Sequence, residues 1–283
     1  MEASFLEDLA CETARAVYAY CSHVGLARPL DVVVGKNPYG DTTLEIDRIA
    51  ETEARRVIEE AKIPCVFISE ESGESIVGEG EPQLVVLLDP IDGSSNAARG
   101  MSLYGTSIAF ARHKAGRLSS DDIVAAAVMN LGTGELFSAA RGCGARLNGR
   151  RIISSGATDI HEAILALDAS GALRQVDRVL PALRLVRDVR RLGSSALELC
   201  YLAAGCVDAF IDFRGDNTIL DLGASLLVAT EAGAVATQFD GGPIDCILRP
   251  VGRLSLLVAG NADLHDELRR CLARQSAGGS TEA

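Results

Sequence analysis

Residues 87–96 read LLDPIDGSSN, and the way this stretch turns decides what must surround it. An apolar run, QLVVLL from 83 to 88, ends on Asp89; Asp92 stands three residues later, followed by Gly93, Ser94 and Ser95. Continuous rather than alternating hydrophobicity predicts a strand buried on both faces, the kind that helices cover in layered α/β proteins. Two carboxylates leaving water at the end of such a strand repel one another and are driven toward protonation unless positive charge stands between them. Mg²⁺ is the economical solution, because it takes oxygen ligands and is commonly held by one or two carboxylates together with a substrate phosphate. Gly93 permits close backbone approach, and Ser94 and Ser95 are placed to begin a helix whose N–H groups face an anion. Taken alone, D-x-x-D-G has a plainer reading, a capped turn with Asp92 or Ser94 as the N-cap.

Outward from this stretch the pattern is sheet with helices around it. PCVFIS (64–69) predicts a preceding strand that delivers Glu70 beside Asp89 if the two strands are neighbours. GTSIAFAR, DIVAAAVMN and GELFSAA read as further strands, and GCGARLNGRR (142–151) as turns. Helical spacing covers 4–22, with Ser4 as N-cap, and 45–61; between them VVVGKNPYGDTT (32–43) is a glycine-flanked loop able to move. Beyond residue 160 helices (174–187, 194–205, 218–232 and from 261) alternate with strands (188–192, 207–213 and 254–260). The fold class is therefore α+β or α/β layered. We expect an N-terminal α+β domain over 1–155 and a C-terminal α/β domain over 156–283, with the tail QSAGGSTEA frayed.

A formal net charge of −12 over 283 residues argues against nucleic acid, whose binding rests on clustered basic surface. The eight cysteines are spread without a C-x-x-C, and the four histidines are isolated from one another in sequence. They read as reduced, small buried hydrophobes and as surface or structural residues, respectively. The acidic start MEASFLEDLA lacks a basic signal region, and no apolar run reaches the roughly 18 residues of a membrane span. The expectation is a cytoplasmic protein without membrane partners.

Several stretches together carry a more specific resemblance. GDTTLEID, SEES, DPIDGSSN, ELFSAARGCGARLNG, GSSALELCYLAAGCVDAF and LDLGASLLVATEAG follow one another over about residues 5–262. In this order they resemble the inositol monophosphatase superfamily of Mg²⁺-dependent, lithium-sensitive phosphatases, with Leu220 where many members have Trp. The loop before Asp41 and DFRGDNTILD are most similar to the archaeal type, which hydrolyses both fructose 1,6-bisphosphate and inositol 1-phosphate. The resemblance implies an αβαβα sandwich, a homodimer, and a place in carbohydrate metabolism and gluconeogenesis.

It also implies roles for individual residues. Glu70, Asp89, Asp92, Asp221 and the carbonyl of Ile91 would hold two Mg²⁺, with Mn²⁺ able to substitute, and Asp41 would help with a third. A metal-activated water would attack, oriented by Glu70 and Ser94, with Asp47 bonded to the Ser94 hydroxyl. Serine stands where members often have Thr, which keeps the hydroxyl. Asp92, Gly93, Ser94 and Ser95 would meet the phosphate, and Arg190, Ser195, Ala196 and Arg214 the far end of the substrate. Arg214 replaces the Glu of inositol-selective members, and a guanidinium suits a second phosphate better than a neutral polyol. Asp208 and Asp212, with Phe210 on one strand face, are expected to be structural.

Other readings remain open. A haloacid dehalogenase-type phosphatase needs acids at i and i+2, whereas here they stand at i and i+3. A 3′(2′),5′-bisphosphate nucleotidase of the same superfamily would keep the mechanism and change the substrate; no aromatic adenine platform is evident. A metal-binding regulator without activity is the third.

Overall fold

The computed structural model describes residues 1–25, 30–248 and 251–278, with side chains omitted at 23–25 and 274–278. The expectations for His23 and for the tail from 275 lie outside the residues described with side chains. A two-stranded hairpin of β1 (Val33–Lys36) and β2 (Thr42–Leu44) precedes the main sheets. The large sheet holds β3 (Cys65–Ser69), β4 (Gly73–Val77), β5 (Leu84–Asp92), β6 (Gly105–Arg112), β7 (Ile123–Asn130), β8 (Leu136–Ala140), β9 (Ala145–Leu147) and β10 (Arg150–Ile152). Its order is β10-β9-β8-β7-β6-β5-β3-β4, antiparallel except for the parallel pair β3 and β5. The second sheet comprises β11 (Ile164–Asp168), β12 (Asp188–Arg190), β13 (Ala209–Asp212), β14 (Val235–Gln238) and β15 (Leu256–Ala259), ordered β12-β11-β13-β15-β14. The helices are α1 (Ala3–Gly25), α2 (Glu45–Glu60), α3 (Ser94–Ala98), α4 (Leu180–Leu183), α5 (Ser195–Ala203), α6 (Ile219–Glu231) and α7 (Ala262–Gly278).

Strand alternation sorts the core of the five layers into three apolar clusters, the middle one enclosing α5 and α6 from both sides. Phe67, Val86, Leu88 and Phe110 face α1 and α2, whereas Val66, Ile68, Val85 and Leu87 face the buried pair α5 and α6. From the other side Phe210, Leu256 and Val258 close on the same two helices, and Ile211, Leu257 and Ala259 turn outward to α4 and α7. The result is the αβαβα sandwich. Because both sheets are covered on both faces, their strands read as unbroken apolar runs, and α6 is apolar nearly all round.

Several elements differ from the sequence reading. The 142–151 stretch forms the β9–β10 hairpin, turning at Asn148 (φ 51°) and Gly149 (φ 77°), the Asn-Gly pair a two-residue turn favours. No long helix covers 174–187; a 3₁₀ stretch Leu173–Arg178 and the four-residue α4 stand there, with Pro181 in the first turn of α4. β4 and β14 are additional, half-exposed strands with little apolar signal. α1 begins at Ala3, so Ser4 lies inside the first turn rather than capping it. Cys143 and Cys206 are exposed, whereas Cys11, Cys21, Cys65, Cys200 and Cys246 are buried.

Candidate active site

The parallel pairing of β3 with β5 puts Ser69 opposite Leu88, and the Glu70 N–H donates to the Leu88 carbonyl at 3.1 Å. Glu70 is thereby delivered beside Asp89. Between Asp89 and Asp92 the register against β6 slips, Asp89 facing Ser107 and Asp92 facing Gly105. One extra residue is accommodated in this bulge, where Pro90 has no N–H to lose from the ladder. In a regular strand residues i and i+3 point to opposite faces; the bulge turns Asp92 back to the side Asp89 serves.

Asp221 arrives from the other half of the chain. It is the third residue of α6, where its Oδ2 accepts the Thr218 N–H at 2.5 Å in a capping box. One carboxylate oxygen each from Glu70, Asp89 and Asp221 lie within 4.8 Å of one another. Asp92 Oδ2 accepts from the Ser194 hydroxyl at 2.6 Å and the Ala196 N–H at 2.7 Å, at the start of α5. The Ala196 amide is thus spent on Asp92.

Electrostatics follow from burial without compensation. Burial, and then the charge of Asp221, pushes Glu70 up to about 8. Burial raises Asp92 to about 7 against the hydrogen bond from Ser194, and Asp221 to about 6 against those from Thr218. Asp89, fully buried beside Glu70 and Asp221, is raised well above the carboxylate range. Hard oxygen donors converging without an ion pair to a cation among the described residues fit a divalent metal such as Mg²⁺.

Gly93 has φ 90°, and a Cβ there would stand 3.1 Å from the carbonyls of Gly193 and Leu103. Glycine is required both by conformation and by this contact with the 193–194 turn. Asn96 Nδ2 fastens the two turns, donating to Leu103 O at 2.6 Å and Leu192 O at 2.7 Å. The Ser94 hydroxyl carries one proton, and the Ile91 carbonyl at 2.9 Å is a nearer acceptor than Asp47 at 3.5 Å. Asp47 accepts the Leu44 N–H at 2.6 Å, and burial pushes it up to about 7. Ser95 is exposed on α3.

The 37–41 turn is pinned by Asn37, whose Oδ1 accepts the N–H groups of Tyr39 and Asp41 and whose Nδ2 reaches Glu70 at 3.4 Å. Asp41, Glu70 and Asp221 share a cavity of about 420 Å³ with Asp216 and Arg253. A larger cleft of about 520 Å³ between α4 and α7 gathers a single carboxylate, Glu267, and offers a divalent cation little.

Two residues expected at the far end of the substrate, Ser195 and Arg214, are bonded to partners within the fold. Arg214 is buried, with Nη2 at 2.5 Å from Asp168 and Nε at 2.9 Å from Asp212. Ser195 donates to Asp168, and Asn217 bridges Ser195 at 3.1 Å and Asp212 at 3.0 Å. Burial alone would raise Asp168, but Ser195 and Arg214 hold it below its ordinary value. Arg214 therefore serves two carboxylates of its own fold. Arg190 is exposed and paired with Asp188 at 2.6 Å. Asp208 is structural, accepting from Ser155 and from the Ile164 N–H. Sequence reasoning missed Asp168, Asn37 and Ser194; the one available signal was an acid ending the apolar run ILALD.

Comparison with known proteins fits this geometry. The sequence profile of the inositol monophosphatase family matches residues 3–277. A fructose-1,6-bisphosphatase/inositol-1-monophosphatase from Methanothermobacter thermautotrophicus is 41% identical over 238 residues, covering 82% of this chain and 84% of that protein. A bifunctional NADP phosphatase/NAD kinase from Methanocaldococcus jannaschii is 33% identical over 84% of this chain and 45% of its own length. Among solved structures, the extragenic suppressor protein suhB from Bartonella henselae superposes with TM-score 0.76 at 29% identity, covering 94% of this chain and 97% of that one.

Proposed function

The chain belongs to the inositol monophosphatase family, and from that premise we propose that it is a Mg²⁺-dependent phosphomonoesterase acting on fructose 1,6-bisphosphate and inositol 1-phosphate. The observation that carries this reading is the convergence of Glu70, Asp89 and Asp221 within 4.8 Å, beside Asp92, without an ion pair to a cation among the described residues. Glu70, Asp89, Asp92, Asp221 and the Ile91 carbonyl would hold two metal ions, and Asp41 a third. Bound there, Mg²⁺ would supply Lewis-acid polarisation of the phosphoryl oxygens and make water more acidic.

The remaining work falls to the chain. Gly93 and Ser94 present backbone N–H groups to the phosphate at the start of α3, where intrahelical acceptors are lacking. Glu70 and Ser94 orient the attacking water, and Asp47 holds the helix start behind Ser94. Ser194 and Ala196 fix Asp92, so the acids keep their places when the phosphate leaves. In this reading the division near residue 155 separates most of the metal ligands from Asp221 and the substrate wall, and two copies of the chain associate. The described helices include none long and apolar enough to cross a membrane, consistent with a cytoplasmic enzyme.

A second reading, a nucleotide phosphatase, draws on the relative named as an NADP phosphatase. The test is phosphate release with Mg²⁺ from fructose 1,6-bisphosphate, inositol 1-phosphate and adenosine 3′,5′-bisphosphate, for wild type and Asp92→Asn. Release from the first two, abolished by the substitution, is expected. Release from the nucleotide alone would select the second reading, and release indifferent to Asp92→Asn would remove this site from the reaction.

A further inference from the structure

The expected receiver of a second phosphate, Arg214, is neutralised by Asp168 and Asp212. We propose that Arg253 takes that role, as the specificity-determining residue that receives a second anionic group, a phosphate, at the far end of the substrate; the inference rests on the phosphatase reading above. Arg253 lines the same cavity as Asp41, Glu70 and Asp221, and is the single cation among the described residues that line it.

Its backbone is fixed relative to the acids. Arg253 pairs with Thr218 in an antiparallel bridge, the Ile219 N–H donates to Gly252 O at 2.9 Å, and the Leu254 N–H to Asn217 O at 2.8 Å. Thr218 caps the helix that carries Asp221, so any motion of this wall moves cation and metal ligand together.

The side chain, in contrast, is uncommitted. Its Nη1 donates to the Asp216 carbonyl at 2.7 Å, a neutral acceptor that orients the guanidinium without cancelling its charge. Among the described residues no carboxylate forms an ion pair with it, unlike Arg214. Arg253 as a residue is exposed, and a guanidinium is a planar fork that suits two phosphate oxygens. A phosphomonoester held by its scissile phosphate at the acids would extend its other end along this cavity. A neutral polyol gains little from Arg253, whereas a bisphosphate gains a charge-assisted contact.

The experiment compares kcat and KM for fructose 1,6-bisphosphate and inositol 1-phosphate in wild type, Arg253→Gln, Arg253→Ala and Arg253→Lys. A charge-assisted hydrogen bond corresponds to roughly a tenfold to hundredfold effect. The expected result is a KM for the bisphosphate raised by that factor in the Gln and Ala variants. Its kcat should stay near wild type, the monophosphate should move less than about twofold, and Lys should recover part of the loss. A bisphosphate KM that does not move, or equal changes for both substrates, overturns the proposal. If wild type hydrolyses neither substrate, the phosphatase reading fails separately. Calorimetric titration of fructose 1,6-bisphosphate then decides: weaker binding to Arg253→Gln upholds the role of Arg253, and unchanged or absent binding overturns it.

Discussion

Two groups of buried carboxylates stand on the two sides of the 193–196 turn, and the fold treats them in opposite ways. Asp168 and Asp212, paired in register on β11 and β13, receive Arg214 between them. Glu70, Asp89, Asp92 and Asp221 receive hydroxyls and amides but, among the described residues, no ion pair with a cation of the protein. In the first group Ser195 and Arg214 hold Asp168 below its ordinary value, whereas at Asp212 burial outweighs the bonds from Arg214 and raises it. The second is raised throughout, burial being the first cause at each acid, and in the proposed reading a divalent ion would offset the repulsion among its ionised forms. Charge compensation from within marks structure; its omission marks a place kept for a ligand.

The sharpest way to break this comparison is to remove one acid from the uncompensated group. Asp89→Asn should cut turnover roughly a thousandfold or more, several kcal/mol of transition-state stabilisation. The same substitution should raise the melting temperature of chelator-treated protein, because it removes a buried, repelled acid. Lost activity with lowered metal-free stability would show that Asp89 is held by contacts within the fold.

Removing the cation from the compensated group tests the other half. Arg214→Met leaves Asp168 and Asp212 buried without a partner, and breaking such a pair costs about 3–5 kcal/mol. The urea midpoint should fall accordingly; a change under about 1 kcal/mol would mean that the network contributes no compensation.

Asp168 and the uncompensated group should also answer pH in opposite senses. A carboxyl raised in the fold contributes stability that is full below its unfolded value and is lost as pH climbs through the folded one. With Glu70 at about 8, Asp92 at about 7 and Asp221 at about 6, metal-free protein should weaken progressively between about pH 5 and 8. Saturating Mg²⁺ should restore it, by about 2.7 kcal/mol at a hundredfold excess over Kd. Asp168 runs the other way, its contribution present above its unfolded value and lost as pH falls through the lowered one. Unfolding midpoints across this range, with chelator and with Mg²⁺, would show the two trends; a metal-free midpoint that does not decline with pH would contradict the first.

The smallest effect belongs to Asp41, which lies on the 37–41 turn at the cavity edge. Asp41→Asn should slow turnover several-fold while leaving substrate KM nearly unchanged. An unaltered kcat would take Asp41 out of the reaction.

What could be read from the sequence was what lies close together in it. LLDPIDGSSN holds strand, bulge, two acids and helix start within ten consecutive residues, and Glu70 follows a run that reads as a strand. The unbroken apolar runs announced sheets covered on both faces, and the three apolar clusters bear that out. Arg214 was read by its position relative to Asp221, but its neutralisation depends on Asp168, 46 residues away, and only the parallel register of β11 and β13 brings the two together. β4 and β14 escaped because half-exposed strands carry little hydrophobic contrast. The 174–187 segment looked helical by spacing, and Pro181 restricts where a helix there can begin. The Asn148-Gly149 turn is legible within a stretch that reads as turns, whereas the three-residue strands flanking it are too short and too little buried to carry a strand signal.

The bond from Ser194 to Asp92 spans 102 residues, and that from Ala196 spans 104. A polypeptide emerging from the ribosome can lay down β3, β5 and the bulge early, yet Asp92 gains its final partners only once α5 has been synthesised, and Asp221 joins later still. In the proposed reading, competence to bind metal thus comes late in biogenesis, and a chain interrupted before α6 would hold Glu70, Asp89 and Asp92 but lack Asp221.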